Sequence, residues 1–315
     1  MTDMFSQLQA EPALAWKLAV GVRGAKPDSA EAKQAARATR ASPLVNSLLQ
    51  NRDDTGRSYR KWIGAHWTLS ILADLGCPPG DETLRPLMEE TFSTWLSQAH
   101  AKHIRLINGR VRRCASQEAY AAWSSLRLGL ADSRTEELVS RLLQWQWLDG
   151  GWNCDKRPET ERSSFMETLI PLRALSLYAQ VSGDGKVKLA AERAAEVFLK
   201  RHLFQRQSDG AVMDEHFTLL HYPAYWHYDI LFGLKVLAEA GFLSDPRCAA
   251  ALDVLESKRL PDGGFPAEET FSRPTRPQLS GYSPVSWGGS SVKKSNLFVT
   301  ADALSVLRLA GRWKE

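Results

Sequence analysis

Gln144-Trp145-Gln146-Trp147-Leu148-Asp149-Gly150-Gly151-Trp152 is the stretch on which the fold turns. A polar–apolar helical run ends there in an Asp-Gly-Gly turn that an aromatic residue closes. Asp and Gly are turn formers, and Gly adopts positive φ at little cost. A Gln just before such a turn can hydrogen-bond the ends of neighbouring helices, and a Trp just after it can stack on the helix pair it closes. The same turn recurs as Asp262-Gly263-Gly264-Phe265, and in worn form as Asn108-Gly109-Arg110-Val111 and Asp209-Gly210-Ala211-Val212. A turn repeated between helical segments is the signature of a repeat architecture.

The helical segments follow from apolar periodicity and from stop signals. Residues 1–50 read as helices of moderate quality, with Ala-rich 30–41 the clearest, and 51–60 as a charged loop. Helices are expected over 61–76 and 84–98, over 117–130 and 134–147, and over 163–181 and 186–202. Further helices are expected over 223–240, 246–257 and 298–309, the last after a Gly/Ser/Pro-rich loop. No strand signal of period two stands out.

Gln followed by Asp-Gly-Gly-Trp resembles the QW repeat of squalene-hopene and oxidosqualene cyclases. The Gly-Gly-Phe version resembles the β-subunits of protein prenyltransferases. Within that superfamily the chain is most similar to bacterial single-domain repeat proteins, on Gly151-Trp152-Asn153-Cys154-Asp155 and on Tyr222-Pro223-Ala224-Tyr225-Trp226-His227-Tyr228-Asp229. The resemblance covers most of residues 50–315 and is strongest at 144–175 and 258–307. It implies an all-α fold, an α/α toroid of about six helical hairpins with inner and outer rings, as one domain over 1–315. The turns start 41, 60 and 53 residues apart, which puts insertions in loops and argues against an open solenoid of strict repeat length.

Composition excludes several classes. A net charge of +4 with dispersed Lys and Arg speaks against a nucleic-acid partner. Arg110, Arg112 and Arg113 are the densest basic spot and read as a solvated loop. Cys77, Cys114, Cys154 and Cys248 include no CxxC pair, so they read as free thiols of a reducing cytoplasm. Asp3, Glu11 and Lys17 make the N-terminus a poor signal peptide, and no apolar run is long enough to span a membrane.

Eleven tryptophans are the compositional outlier. They suit core packing, or an aromatic cavity wall that would stabilise a carbocation. Trp67, Trp152, Trp226 and Tyr228 are the candidate substrate-binding residues. Aligning the leucine pairs of successive helices places Glu118, Glu167 and Asp229 at one repeated position early in an inner helix. Helix capping explains such residues singly. Together, in an aromatic cavity, they could supply a general acid. His227, two residues before Asp229, is a candidate proton relay, although i and i+2 face different sides of a helix.

The resemblance implies zinc at the inner-helix starts of prenyltransferases, but the comparable positions here are Ser164, Met166, Trp226 and Tyr228. No cofactor is therefore expected, and Cys154 with His221 or His227 is the remaining zinc option. The Asp-x-Asp-Asp and Asp-Asp-x-x-Asp motifs of terpenoid chemistry are absent. The expected function is a terpene cyclase- or prenyltransferase-like protein acting on or binding an isoprenoid or other apolar substrate, by acid-initiated cyclisation or isomerisation if it is an enzyme. The alternatives are a non-catalytic toroid binding a ligand, a protein partner or a second copy, and a carbohydrate-active toroid.

Overall fold

The computed structural model describes residues 4–314; Asp3 and the extreme ends of the 1–315 span lie outside the described residues. Helix α1 (Met4–Ala10) leads into a π-helical turn over Lys17–Val22. Then follow α2 (Ala30–Ala41) and α3 (Pro43–Gln50), with Ser42 ending one and capping the other through Val45 N–H. Next come α4 (Ala65–Leu75), ended by Gly76 at φ 83°, α5 (Arg85–Trp95) and the single turn α6 (Gln98–Ala101). A short hairpin, β1 (Arg105–Ile107) and β2 (Arg110–Arg112), precedes α7 (Ala115–Arg127) and α8 (Ser133–Trp145). The chain continues with α9 (Phe165–Ser182), α10 (Gly185–Leu199), α11 (Ile230–Glu239), α12 (Ala249–Ser257) and α13 (Leu297–Leu309).

A central row of helices runs α4, α7, α9, α11, α13, each packed on the next. The helices between them in sequence each pair with a member of the row: α5 with α4, α8 with α7, α10 with α9 and α12 with α11. The π-helical turn packs on α13, and its Lys17 reaches α4 through Asp74. The row helices are buried nearly all round, as expected of elements packed between neighbours, whereas α8 carries a distinct apolar stripe. Most of the buried apolar side chains form one contiguous cluster from Met4 to Trp313.

The two strong Asp-Gly-Gly turns are the same object built twice. In the first, Trp147 N–H donates to Gly151 O and Gly150 N–H to Trp147 O; in the second, Leu260 pairs with Gly264 and Gly263 with Leu260 in the same way. Asp149 accepts from Ser163 Oγ at 2.5 Å, and Asp262 from Ser295 Oγ at 2.7 Å. Trp152 N–H donates to Thr168 Oγ1 of α9, and Phe265 N–H to Thr300 Oγ1 of α13. Each turn is thereby tied to the first turn of the next row helix. A Cβ on Gly151 or Gly264 would come within 2.4 Å of these Thr or Ser side chains. Gln146 Nε2 donates to Gly150 O and to Ala190 O of α10, joining the turn to the outer helix. The worn copies are hairpin bends: Asn108-Gly109 links β1 to β2, and Asp209-Gly210 closes a bridge between Gln205 and Val212.

Several expectations need correction. The β1–β2 hairpin is a strand pair that no period-two pattern announced, because three residues per strand are too few for a pattern. The helix expected from Pro223 begins only at Ile230, because Asp229 caps it by accepting Phe232 N–H at 2.7 Å. The helix expected from Lys61 begins at Ala65. Arg112 is buried beneath Trp147, with its guanidinium 4.6 Å from the ring centroid, and is not part of a solvated loop.

Gly150 and Gly210 test the turn. Both have positive φ, but an added Cβ would lie 2.3 Å from Arg193 O at Gly150 and would meet nothing within 4 Å at Gly210. Gly210→Ala should cost about 1 kcal/mol of stability from its left-handed backbone alone. Gly150→Ala should cost roughly twice that or more, because a backbone oxygen must also move. Urea unfolding of the two variants measures the difference.

Candidate functional site

Lone charges inside apolar helices converge between the row helices. Lys17 Nζ lies 2.8 Å from Asp74 Oδ2 and 2.7 Å from Asp302 Oδ1, while Lys235 Nζ lies 2.7 Å from Asp74 Oδ1 and 3.0 Å from Asp302 Oδ2. The two lysines and two aspartates thus alternate around a square. Arg173 extends it, 3.0 Å from Asp74 and 2.6 Å from Glu239, with its guanidinium 3.7 Å from the Trp123 ring centroid. Tyr222 donates its hydroxyl to Asp74 Oδ2 at 3.3 Å. Burial alone would raise Asp74, but Lys17, Lys235 and Arg173 outweigh it and hold the carboxyl well below the usual range. Burial pulls Lys17 down despite both aspartates.

The network separates two spaces. On one side is a small deep chamber of about 30 Å³, bordered by Tyr120, Tyr225, His221 and Asp229 and with room for about one or two waters. On the other is a chamber of about 420 Å³ between the N-terminal segment and α7, α9, α11 and α13. Its walls include Trp16, Val20, Trp123, Ala238 and Leu309. Its polar lining has six cations (Lys17, Lys26, Arg127, Arg173, Lys235, Arg308) and three carboxylates (Asp74, Glu239, Asp302). Arg127 rests 5.1 Å from the Trp16 ring centroid and forms no ion pair among the described residues.

The three carboxylates singled out in the sequence occupy different helix positions. Asp229 is the N-cap of α11, Glu167 the third residue of α9, and Glu118 the fourth of α7. Glu118 is fully buried with His100 at 2.5 Å and Arg113 at 2.9 Å. Glu167 accepts from Ser116 N–H at 3.1 Å and Ser116 Oγ at 2.9 Å, and burial is the largest influence, raising its pKa. Asp229 accepts from His221 N–H, His221 Nδ1 and Phe232 N–H. Glu118 and Glu167 share the surroundings of Arg113, whereas Asp229 belongs to the deep chamber.

His221, not His227, is the partner of Asp229, at 2.8 Å, with both side chains 1% exposed. The i+2 geometry that weakened a His227–Asp229 pair is thus replaced by an eight-residue loop that brings His221 back to the cap. Burial opposes charge on His221, but Asp229 prevails and its pKa is raised. His227 is stacked between Trp226, with centroids 3.9 Å apart, and Phe271, 3.4 Å apart. Burial, His221 and Lys61 lower it to about 3. His66 is likewise lowered to about 3 by burial.

The aromatic residues fill space more than they line it. Trp67 is locked among Tyr59, Trp62, His66 and Tyr225. Trp152 donates its indole N–H to Leu142 O of α8, and Tyr228 its hydroxyl to Leu203 O within a cluster of Phe165, Phe198 and Phe217. Trp226 lies under Lys61 Nζ at 4.9 Å. The ring walls of the larger chamber are instead Trp16 and Trp123. Cys154 does not meet a histidine; it stands beside Cys114 and Glu167.

The network residues escaped the sequence reading although each left a signal. Asp74, Arg173, Lys235 and Asp302 are single charges within otherwise apolar helical runs, which bury a charge only when a partner is supplied. The chain matches no protein-family model, and a search of curated proteins finds no match.

Asp302→Ala leaves Lys17 and Lys235 short of a counter-charge and should cost about 3–5 kcal/mol in urea unfolding. By imidazole NMR, His66 and His227 should stay neutral at pH 5.5, and His221 should remain charged where a free imidazole is half titrated. His66 and His227, with lowered folded pKa values, then withdraw stability as pH falls from about 6.5 towards 3. His221, with a raised one, contributes fully below about 6.5 and loses its contribution as pH rises through its folded value. His227→Phe should flatten the acid limb of the stability profile.

Proposed function

We infer that the chain is a closed α/α toroid of the terpenoid-cyclase and prenyltransferase type that binds an isoprenoid-type or other apolar ligand bearing an anionic end. The ring reading is supported by the row α4–α7–α9–α11–α13 with paired outer helices, and by Lys17, which joins the π-helical turn to α4 and α13. The observation that carries the ligand is the 420 Å³ chamber, within the range of small-molecule sites, with apolar walls and an excess of cationic lining. Arg127, which forms no ion pair among the described residues, is the residue to meet the anionic end.

Binding is favoured over acid-initiated turnover because none of Glu118, Glu167 and Asp229 lines this chamber. The carboxylates that do line it, Asp74, Glu239 and Asp302, are each ion-paired to Lys17, Lys235 or Arg173, which speaks against the free carboxylate pair that carbohydrate chemistry needs.

Farnesyl phosphate and farnesol, titrated against the intrinsic tryptophan fluorescence of the intact chain, test the reading. Saturable binding is expected for both, tighter for the phosphate. Ala238→Phe should weaken both by at least about tenfold by filling the chamber, as about 1.4 kcal/mol of lost contact suffices. Arg127→Gln should remove only the preference for the phosphate. Binding that ignores Ala238→Phe would sink the assignment.

A further inference from the structure

Three segments bring two thiols and a carboxylate together at the N-terminal ends of α7 and α9. Cys114 is the N-cap of α7, Cys154 lies two residues beyond Trp152 in the loop that follows the Asp-Gly-Gly turn, and Glu167 sits in the first turn of α9. One ligand atom from each, Cys114 Sγ, Cys154 Sγ and a Glu167 oxygen, lies within 4.8 Å of the others. Cys154 Sγ is 3.5 Å from Glu167 Oε1. Around a tetrahedral zinc with bonds of about 2.0–2.3 Å, ligand atoms stand roughly 3.5–3.8 Å apart, so small side-chain adjustments would close the set.

We propose that Cys114, Cys154 and Glu167 form a binding site for zinc or a similar thiophilic divalent cation, with a fourth position open.

The surroundings support a built site. Glu167 Oε2 is held by both Ser116 N–H and Ser116 Oγ, which leaves Oε1 turned to the sulfur atoms. Outer contacts of this kind fix the orientation of a metal-binding carboxylate. Arg113 is hydrogen-bonded to Glu118, His100 and Gln117 and acts on Glu167 only through space. Tyr59 is within electrostatic reach of Glu167 and Cys114. All three residues are half-buried, so an ion can enter. Without a cation, the contact with Cys114, burial and repulsion from the Glu167 carboxylate push the Cys154 thiol well above its ordinary range. A divalent cation reverses that repulsion, so binding must release protons and tighten as pH rises. The site is separate from the 420 Å³ chamber, none of whose lining it shares.

The experiment uses the intact chain, reduced and stripped of metal with a chelator, then titrated with Co²⁺ and Zn²⁺. One equivalent of Co²⁺ should produce a near-ultraviolet thiolate-to-cobalt band and the intense visible bands of a tetrahedral ion, and one equivalent of Zn²⁺ should abolish both. Cys114→Ser and Cys154→Ser should each remove about half the charge-transfer intensity, one thiolate of two. Glu167→Gln should keep that band and weaken Zn²⁺ by at least about tenfold. Cys248→Ser, whose thiol is buried elsewhere, is the control and should behave as the parent. Circular dichroism checks that each variant is folded, and the pH dependence of the parent's affinity gives a readout that needs no variant. No cobalt band in the reduced parent, or a charge-transfer band of undiminished intensity in Cys154→Ser, overturns the site.

Discussion

The square of Lys17, Asp74, Lys235 and Asp302, with Arg173 and Glu239 attached, is the constraint on which the arrangement of helices depends. Each charge is withdrawn from water at a cost of several kcal/mol, and the interior tolerates it only because each is paired at hydrogen-bond distance. The members come from the N-terminal segment and from α4, α9, α11 and α13. Four helices distant in sequence are therefore held to one another by groups that cannot be satisfied separately. Apolar packing is non-directional and would accept many rotations of these helices. The ion network accepts few, because moving any helix strands a buried charge.

The Asp-Gly-Gly turns act on the same arrangement at the starts of α9 and α13. Each fixes where a row helix begins relative to the outer helix before it, through a backbone pair, an Asp–Ser contact and a donation to a Thr one turn into the helix. Glycine is needed twice in each, once for positive φ and once because a side chain would strike the Ser or Thr partner. With rows set by the turns and rotations by the ions, the aromatic residues pack the space that remains. That is why Trp67 and Trp152 end as buried packing while Trp16 and Trp123 line the chamber beside the network.

Chemistry is distributed between separate places. The thiols with Glu167, the His221–Asp229 pair and the cation-lined chamber each have their own surroundings. His221 shows how little sequence distance says about such pairs. Its loop returns it to the cap of α11, while His227, nearer in sequence, is held flat between two rings.

Local physics made much of the helical pattern legible in advance. The limits of α2, α8, α9 and α13 are written in Ser29, Asp132, Gly183 and Asn296, residues whose capping or left-handed backbone acts within one turn. The doubled turn could be read for the same reason. Glu118, Glu167 and Asp229 were correctly placed near helix starts, but not their partners, because His100, Cys114 and His221 reach them across loops whose path no periodicity encodes. The network and the chamber were decided only by tertiary structure. A lone charge in an apolar helix announces that it must be paired, yet the identity of the partner depends on which helices meet, and that is settled by packing over the whole chain.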